Sequence, residues 1–293
     1  MIRPCGQARR RVCQPQPAST RSSPPSDGSR PRRRAKRALG DAAFEAIDRL
    51  SGVRRRADAL AAAAPPRRVL VAGIYRPGAA LSLDPLRSDR HAVSFALGAT
   101  GSAEPRLAEQ TVASELRGGK FENLRAVLAA SEADFDWLLV VDDDVRLPPR
   151  FLDRFLGVCE HFGFELAQPA QSQRSHSAWR VTRRRPASLA RETRFVEIGP
   201  VTGFGRHAAA ELLPFPELRF GWGLDLHWAA LAAERGWRLG VVDATPVRHE
   251  SATVGSAYPV DDARAEAARF LADRPYLPAA RAGDVLATHR RAR

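Results

Sequence analysis

The stretch Asp136-Trp-Leu-Leu-Val-Val-Asp-Asp-Asp-Val-Arg-Leu-Pro148 constrains the fold more than any other part of the chain. Trp137–Val141 is apolar at every position, so the pattern predicts a short strand buried on both faces. Phe151, Leu152, Phe155, Leu156, Cys159 and Phe162 then recur at helical spacing, which predicts a helix next. A buried strand followed by a helix belongs to an α/β sheet, and ligands bind such sheets at the carboxyl ends of their strands. Here that end carries Asp142, Asp143 and Asp144. Three adjacent carboxylates repel one another unless a cation offsets them. Side chains alternate along an extended chain, so Asp142 and Asp144 are expected on one side and Asp143 on the other. Mg²⁺ and Mn²⁺ prefer oxygen ligands and bridge one or two carboxylates to phosphates. One aspartate then holds the metal while another binds it through water or contacts a ribose hydroxyl. The competing reading is an acidic cap for the following helix. One acid would serve for that, and Pro148-Pro149 already separates the acids from the helix.

The remaining pattern extends this alternation. Strands are expected at Val69–Tyr75, His91–Leu97, Phe164–Gln168, Phe195–Ile198 and Trp237–Val242. Helices are expected at 41–64, 106–117, 121–131, 224–235 and 261–273, with Gly236 ending the fourth. Arg76–Arg90, which carries Pro77 and Pro85, does not read as a helix. Such alternation predicts an α/β domain with a mostly parallel central sheet covered on both faces. The expected organisation is a disordered Arg/Pro/Ser-rich tail at 1–38, a helical lead-in at 39–66, the domain at 67–275 and a C-terminal tail at 276–293.

Charge supports that division. The chain has 46 Lys and Arg against 33 Asp and Glu, a formal net charge of +13. Residues 1–37 hold eleven of the basic residues and one acid, Asp27, which is +10; the remaining 256 residues carry about +3. The body is close to neutral and the basic character belongs to the tail. Nucleic acid is therefore not an expected partner, whereas peripheral contact of the tail with an anionic membrane is an expected option. Three cysteines, Cys5, Cys13 and Cys159, give neither a disulfide framework nor zinc spacing. With no secretory leader evident, the cytoplasm is the expected compartment.

A second constellation lies in Phe220–Glu250. Gly221-Trp222-Gly223 offers a loop bearing a flat ring suited to stacking on a sugar face. Asp225 follows at a helix start, where the dipole favours its ionised form, either as a proton acceptor or as a cap. His249 lies past the next strand in a polar Arg248-His249-Glu250 setting and is a candidate third metal ligand. Trp228 and Trp237 read as core. The basic stretch 174–194 reads as a phosphate- or acceptor-contacting loop or as a solvated one.

An apolar strand ending in Asp-x-Asp, a Gly-Trp-Gly loop with an acid, and a histidine beyond the next strand together resemble the GT-A glycosyltransferases over about 68–260. The Gly-Trp-Gly-Leu-Asp and Gly-Val-Val-Asp segments also resemble a family of uncharacterised glycosyltransferase-like proteins. This resemblance implies that Asp142 and Asp144, with His249, hold Mn²⁺ or Mg²⁺ on a nucleoside-diphosphate sugar. It implies Asp225 as the base for an acceptor hydroxyl. It places donor contacts at Tyr75, Arg76, Asp143, Trp222 and Gly223, and the reaction as an inverting transfer. The alternatives are a nucleotidyltransferase or other Asp-x-Asp phosphate enzyme, such as a haloacid-type phosphatase, and a non-catalytic module with a nucleic-acid-binding tail.

Overall fold

The computed structural model describes residues 29–250 and 259–292. Two helices lead in, α1 (Ser29–Ser51) and α2 (Val53–Ala63). They are followed by β1 (Arg68–Tyr75), β2 (Ala92–Ala99), β3 (Thr111–Ala113) and α3 (Lys120–Ala129). Next come β4 (Trp137–Val141), β5 (Val145–Arg146), α4 (Phe151–Phe162), β6 (Phe164–Gln171), β7 (Ala190–Thr193) and β8 (Val201–Gly205). The chain closes with α5 (Arg206–Leu212), α6 (Leu224–Arg235), β9 (Arg238–His249), α7 (Val260–Leu271) and β10 (Val285–His289).

The main sheet has the order β10-β7-β9-β6-β8-β4-β1-β2-β3, with β5 paired to β9 off this path. Only β7 and β8 oppose the other strands in it, because their pairings are the antiparallel ones. The expected, mostly parallel α/β sheet is therefore present. Apolar clusters cover both faces: one contains Val69, Val71, Leu139, Phe151, Phe155 and Leu156. The other contains Leu70, Leu138, Phe121, Phe204, Phe215 and Trp228. Adjacent residues of β1 and β4 supply opposite clusters, which is why these strands read as continuous apolar runs.

Several expectations give way. The lead-in helix begins at Ser29, so residues 29–38 belong to α1 rather than to a disordered tail. Long-range contacts made later along α1 hold it, and no apolar pattern in 29–38 announces them. The rest of the expected tail, 1–28 with Cys5 and Cys13, lies outside the described residues. Gly52 (φ +70°) divides the expected single helix into α1 and α2. The segment 106–117 forms a 3-10 turn (Pro105–Gln110) and β3 instead of a helix. Phe195–Ile198 is irregular, with Phe195 and Val196 buried; their apolar character reflects burial, not pairing. The expected C-terminal tail supplies β10, which pairs with β7 and extends the sheet.

Part of the basic stretch 174–194 is structural, while Arg174, Arg180 and Arg185 stay exposed. Arg191 and Asp243 are both fully buried and form a two-pronged ion pair at 2.9 and 3.0 Å. Arg191 also donates to the carbonyls of Val181 and Arg183, while Asp243 accepts the Arg185 N–H. Arg184 pairs with Asp48 and Glu45 of α1. These arginines pin the loop across the ends of β6 and β9.

Candidate active site

Residues 143–144 form a turn rather than extended chain, so strand alternation is not what sorts the three acids. The turn sends the chain into β5, whose Val145 pairs with His249 at the end of β9. The Glu250 N–H then donates to the Asp144 carbonyl at 2.9 Å. This small antiparallel pairing brings His249 Nε2 to 3.0 Å from Asp144 Oδ1. Asp142 hydrogen-bonds through its N–H to the Pro200 carbonyl of the neighbouring β8 entry, at 2.8 Å. Ligand atoms of Asp142, Asp144 and His249 lie within 4.8 Å of one another, all three residues partly buried.

Two carboxylates and an imidazole form a donor set suited to a divalent cation. Space beside Asp142 depends on Gly199: a Cβ there would stand 2.9 Å from Asp142 Oδ2 and 3.0 Å from Lys120 Nζ. The donor set fits a divalent cation. Burial disfavours the charged His249 imidazole, but its hydrogen bond to Asp144 and the nearby carboxylate charge outweigh that and raise its pKa. The His249 N–H is held by Ser175 Oγ at 3.0 Å, and Ser175 itself is fully buried.

Asp143 points elsewhere and is already occupied. It accepts the Arg76 N–H at 2.9 Å and both prongs of the Arg76 guanidinium at 2.9 and 2.8 Å. Arg76 lies 3.7 Å from Asp144 as well, and its side chain is largely exposed. Tyr75 is fully buried, and its hydroxyl meets Thr111 at 2.8 Å, so that side chain presents no surface to a donor. Residues 76–90 contain no α-helix, as their prolines require, only a 3-10 turn at Asp84–Leu86. With β5 they border a cleft of about 270 Å³ lined by Ser82, Asp143, Asp144, Arg146 and Glu250, among others.

The Gly-Trp-Gly loop enters α6. Gly221 (φ +75°) and Gly223 (φ +91°) adopt left-handed conformations that disfavour a side chain. A Cβ on Gly221 would also stand 2.2 Å from the Phe121 ring. Glu266 of α7 anchors the approach by accepting the N–H groups of Arg219, Phe220 and Gly221 at 2.8–3.0 Å. Trp222 is partly buried in the turn between the two glycines. Trp228 packs in the core edge-on to Phe204, and Trp237 packs against the same cluster. Asp225 stands in the first turn of α6, 8% exposed, its Oδ1 accepting the Leu226 N–H at 2.9 Å. Burial outweighs that hydrogen bond and pushes its pKa up to about 7. The helix start does not offset this desolvation.

Two further charged residues complete the site. Lys120, the first residue of α3, reaches Asp142 Oδ1 at 2.6 Å and donates to the Ile198 carbonyl at 3.0 Å. Glu197 accepts from Gln171 Nε2 at 3.1 Å and from the Ala178 N–H at 3.3 Å. Burial, then the charge of Asp225, raise its pKa to about 7, while His249 acts in the opposite direction. Segment 197–200 thus carries a second carboxylate that feels both Asp225 and the triad. Sequence gave no signal for Glu197, which lies in an apolar run. For Lys120, the Gly118-Gly119 pair before α3 was the available hint.

No family model matches the chain, and no curated protein matches it in sequence. Among solved structures, GalNAc-T7, crystallised with UDP, GalNAc and Mn²⁺, is similar with a TM-score of 0.50 at 12% identity. The fold is of the GT-A type. The match covers 66% of this chain and 45% of that one, so the chain spans less than half of the neighbour's length. At this identity the likeness carries the architecture, and the chemistry rests on the site.

Proposed function

We propose that the protein is a metal-dependent glycosyltransferase that moves a sugar from a nucleoside diphosphate to an acceptor hydroxyl with inversion. The observation that carries this reading is the Asp142–Asp144–His249 triad on a GT-A-type sheet, with a buried carboxyl, Asp225, at the start of α6. Asp142, Asp144 and His249 would hold Mn²⁺ or Mg²⁺, which when bound supplies Lewis-acid stabilisation of the departing diphosphate. Lys120 adds a fixed positive charge at the same place. With a cation held by Asp142, its ammonium would be available to a phosphate oxygen where charge develops. Asp143, held by Arg76, lines the cleft that would take the rest of the donor, and Trp222 would stack on the sugar.

The acceptor oxygen attacks the anomeric carbon while the bond from that carbon to the diphosphate breaks. Asp225 takes the hydroxyl proton. A base with a pKa near the working pH is the most effective choice, and burial gives Asp225 that value. Glu197 lies close enough for burial and then the charge of Asp225 to raise its pKa to about 7.

The test is product analysis over a panel of nucleotide sugars with Mn²⁺ or Mg²⁺ and hydroxyl acceptors. The reading expects release of nucleoside diphosphate, lowered at least about 10²-fold in Asp142→Ala. Release of inorganic diphosphate would instead identify a nucleotidyltransferase and displace the reading.

A further inference from the structure

Helix α1 has two opposed faces, and the fold uses only one of them. Asp41, Glu45 and Asp48 recur at i, i+4 and i+7 and so share a face. That face docks inward. Asp41 accepts the N–H groups of Gln173 at 2.7 Å and Arg174 at 3.2 Å. Asp48 accepts the Ala187 N–H at 2.7 Å and, with Glu45, pairs with Arg184. On the opposite side Leu39, Ala43, Ile47 and Leu50 recur at i, i+4, i+8 and i+11. Leu39 is 72% exposed, Ile47 41% and Leu50 90%, three of the five exposed large hydrophobics among the described residues. The same face continues toward the start of the helix as Lys36 and Arg32, both exposed, with exposed Arg49 at its flank.

A charged face turned inward with an apolar stripe turned outward reverses the arrangement of an ordinary surface helix. An apolar stripe edged with Lys and Arg suits the plane of an anionic lipid surface, where the stripe enters the acyl boundary and the bases meet phosphates. Charge complementarity selects this occupant. A second copy packed in parallel would oppose the same bases to one another, and nucleic acid would leave Leu39 and Leu50 without a role. The sequence ahead of α1 reinforces the sign, with Arg3, Arg9, Arg10, Arg11 and Arg21 against Asp27 alone.

We propose that α1 is an interfacial helix that seats the protein on an anionic bilayer through Leu39, Ile47 and Leu50, with Arg32, Lys36 and Arg49 on the headgroups. This stands independently of the transferase reading. No helix among the described residues is long and apolar enough to cross a membrane, so α1 lies on the surface. Its inner face holds residues 173–174, next to the Ser175 that fixes His249, so docking places α1 between the bilayer and that loop.

The test is flotation of the full chain with phosphatidylcholine vesicles, alone or with about one quarter phosphatidylserine. The chain is expected to float with the anionic vesicles and remain behind with the neutral ones. Leu39→Asp with Leu50→Asp should lower partitioning at least about tenfold while leaving the melting temperature unchanged. Arg32→Glu with Lys36→Glu should give a loss that is largest at low salt. Three outcomes overturn the proposal: no flotation of the wild type, full flotation of the Leu39/Leu50 variant, or a dimer that the same two substitutions dissociate.

Discussion

Asp225→Asn is expected to retain donor and metal binding while transfer falls by about 10²- to 10⁴-fold, the usual contribution of a positioned base. The substitution keeps the side chain's volume and its acceptor for the Leu226 N–H. What it removes is the proton acceptor. In the wild type kcat/KM should rise about tenfold per pH unit below about 7 and level off above it, following the raised Asp225 pKa. The residual rate of the variant should lack that limb. Stability supplies a second readout. An aspartate whose folded pKa lies above its unfolded value of about 4 binds more protons in the folded state between the two. Stability therefore falls as pH rises from about 4 to 7, and the cost persists above that range. Asp225→Asn removes the cost and should be more stable than the wild type at pH 8, by about 2–4 kcal/mol at most, and no more stable at pH 4. Retained turnover, or a variant destabilised equally at both pH values, would remove Asp225 as the base.

Arg191→Met is expected to destabilise the fold by about 3–5 kcal/mol, measured by urea unfolding at neutral pH. Both partners of the Arg191–Asp243 pair are fully buried. Burial raises the Asp243 pKa, and the charge and hydrogen bond of Arg191 oppose that without fully offsetting it. Removing the guanidinium leaves an uncompensated carboxyl and frees the carbonyls of Val181 and Arg183. The double variant Arg191→Met/Asp243→Leu should recover part of the loss, because it removes the stranded charge as well. A loss below about 1 kcal/mol, the scale of an exposed pair, would show that the pair does not pin the loop.

Those two residues mark how far the sequence could be read. The acids at 142–144, the strand before them and the helices at 151–162 and 224–235 were legible because burial imposes a local pattern on neighbouring residues. His249 was legible as a candidate, although it belongs to β9 itself and its contact with Asp144 depends on the β5 pairing. Arg191 was not, because a buried arginine looks like an exposed one until its partner, 52 residues away, is placed beside it. Glu197 and Lys120 escaped for the same reason: each reaches the site from irregular chain or a helix end across the sheet. Asp225 was legible as a candidate, but not its depth of burial, which is set by packing that no local pattern records. The start of α1 was missed because the anchors that hold it, Asp41 and Asp48, bind residues more than 130 positions away.

The central claim is that Asp142, Asp144 and His249 would hold a divalent cation that serves a nucleoside-diphosphate donor. It is tested most directly by melting the protein with nucleotide sugars, with and without Mn²⁺, in wild type and Asp144→Ala. At ligand concentrations about 100 times Kd, bound donor should add about 2.7 kcal/mol of stability. The account predicts a rise in Tm for the wild type only when donor and metal are both present, and none in Asp144→Ala. A rise that needs no metal, or that survives Asp144→Ala unchanged, would contradict it.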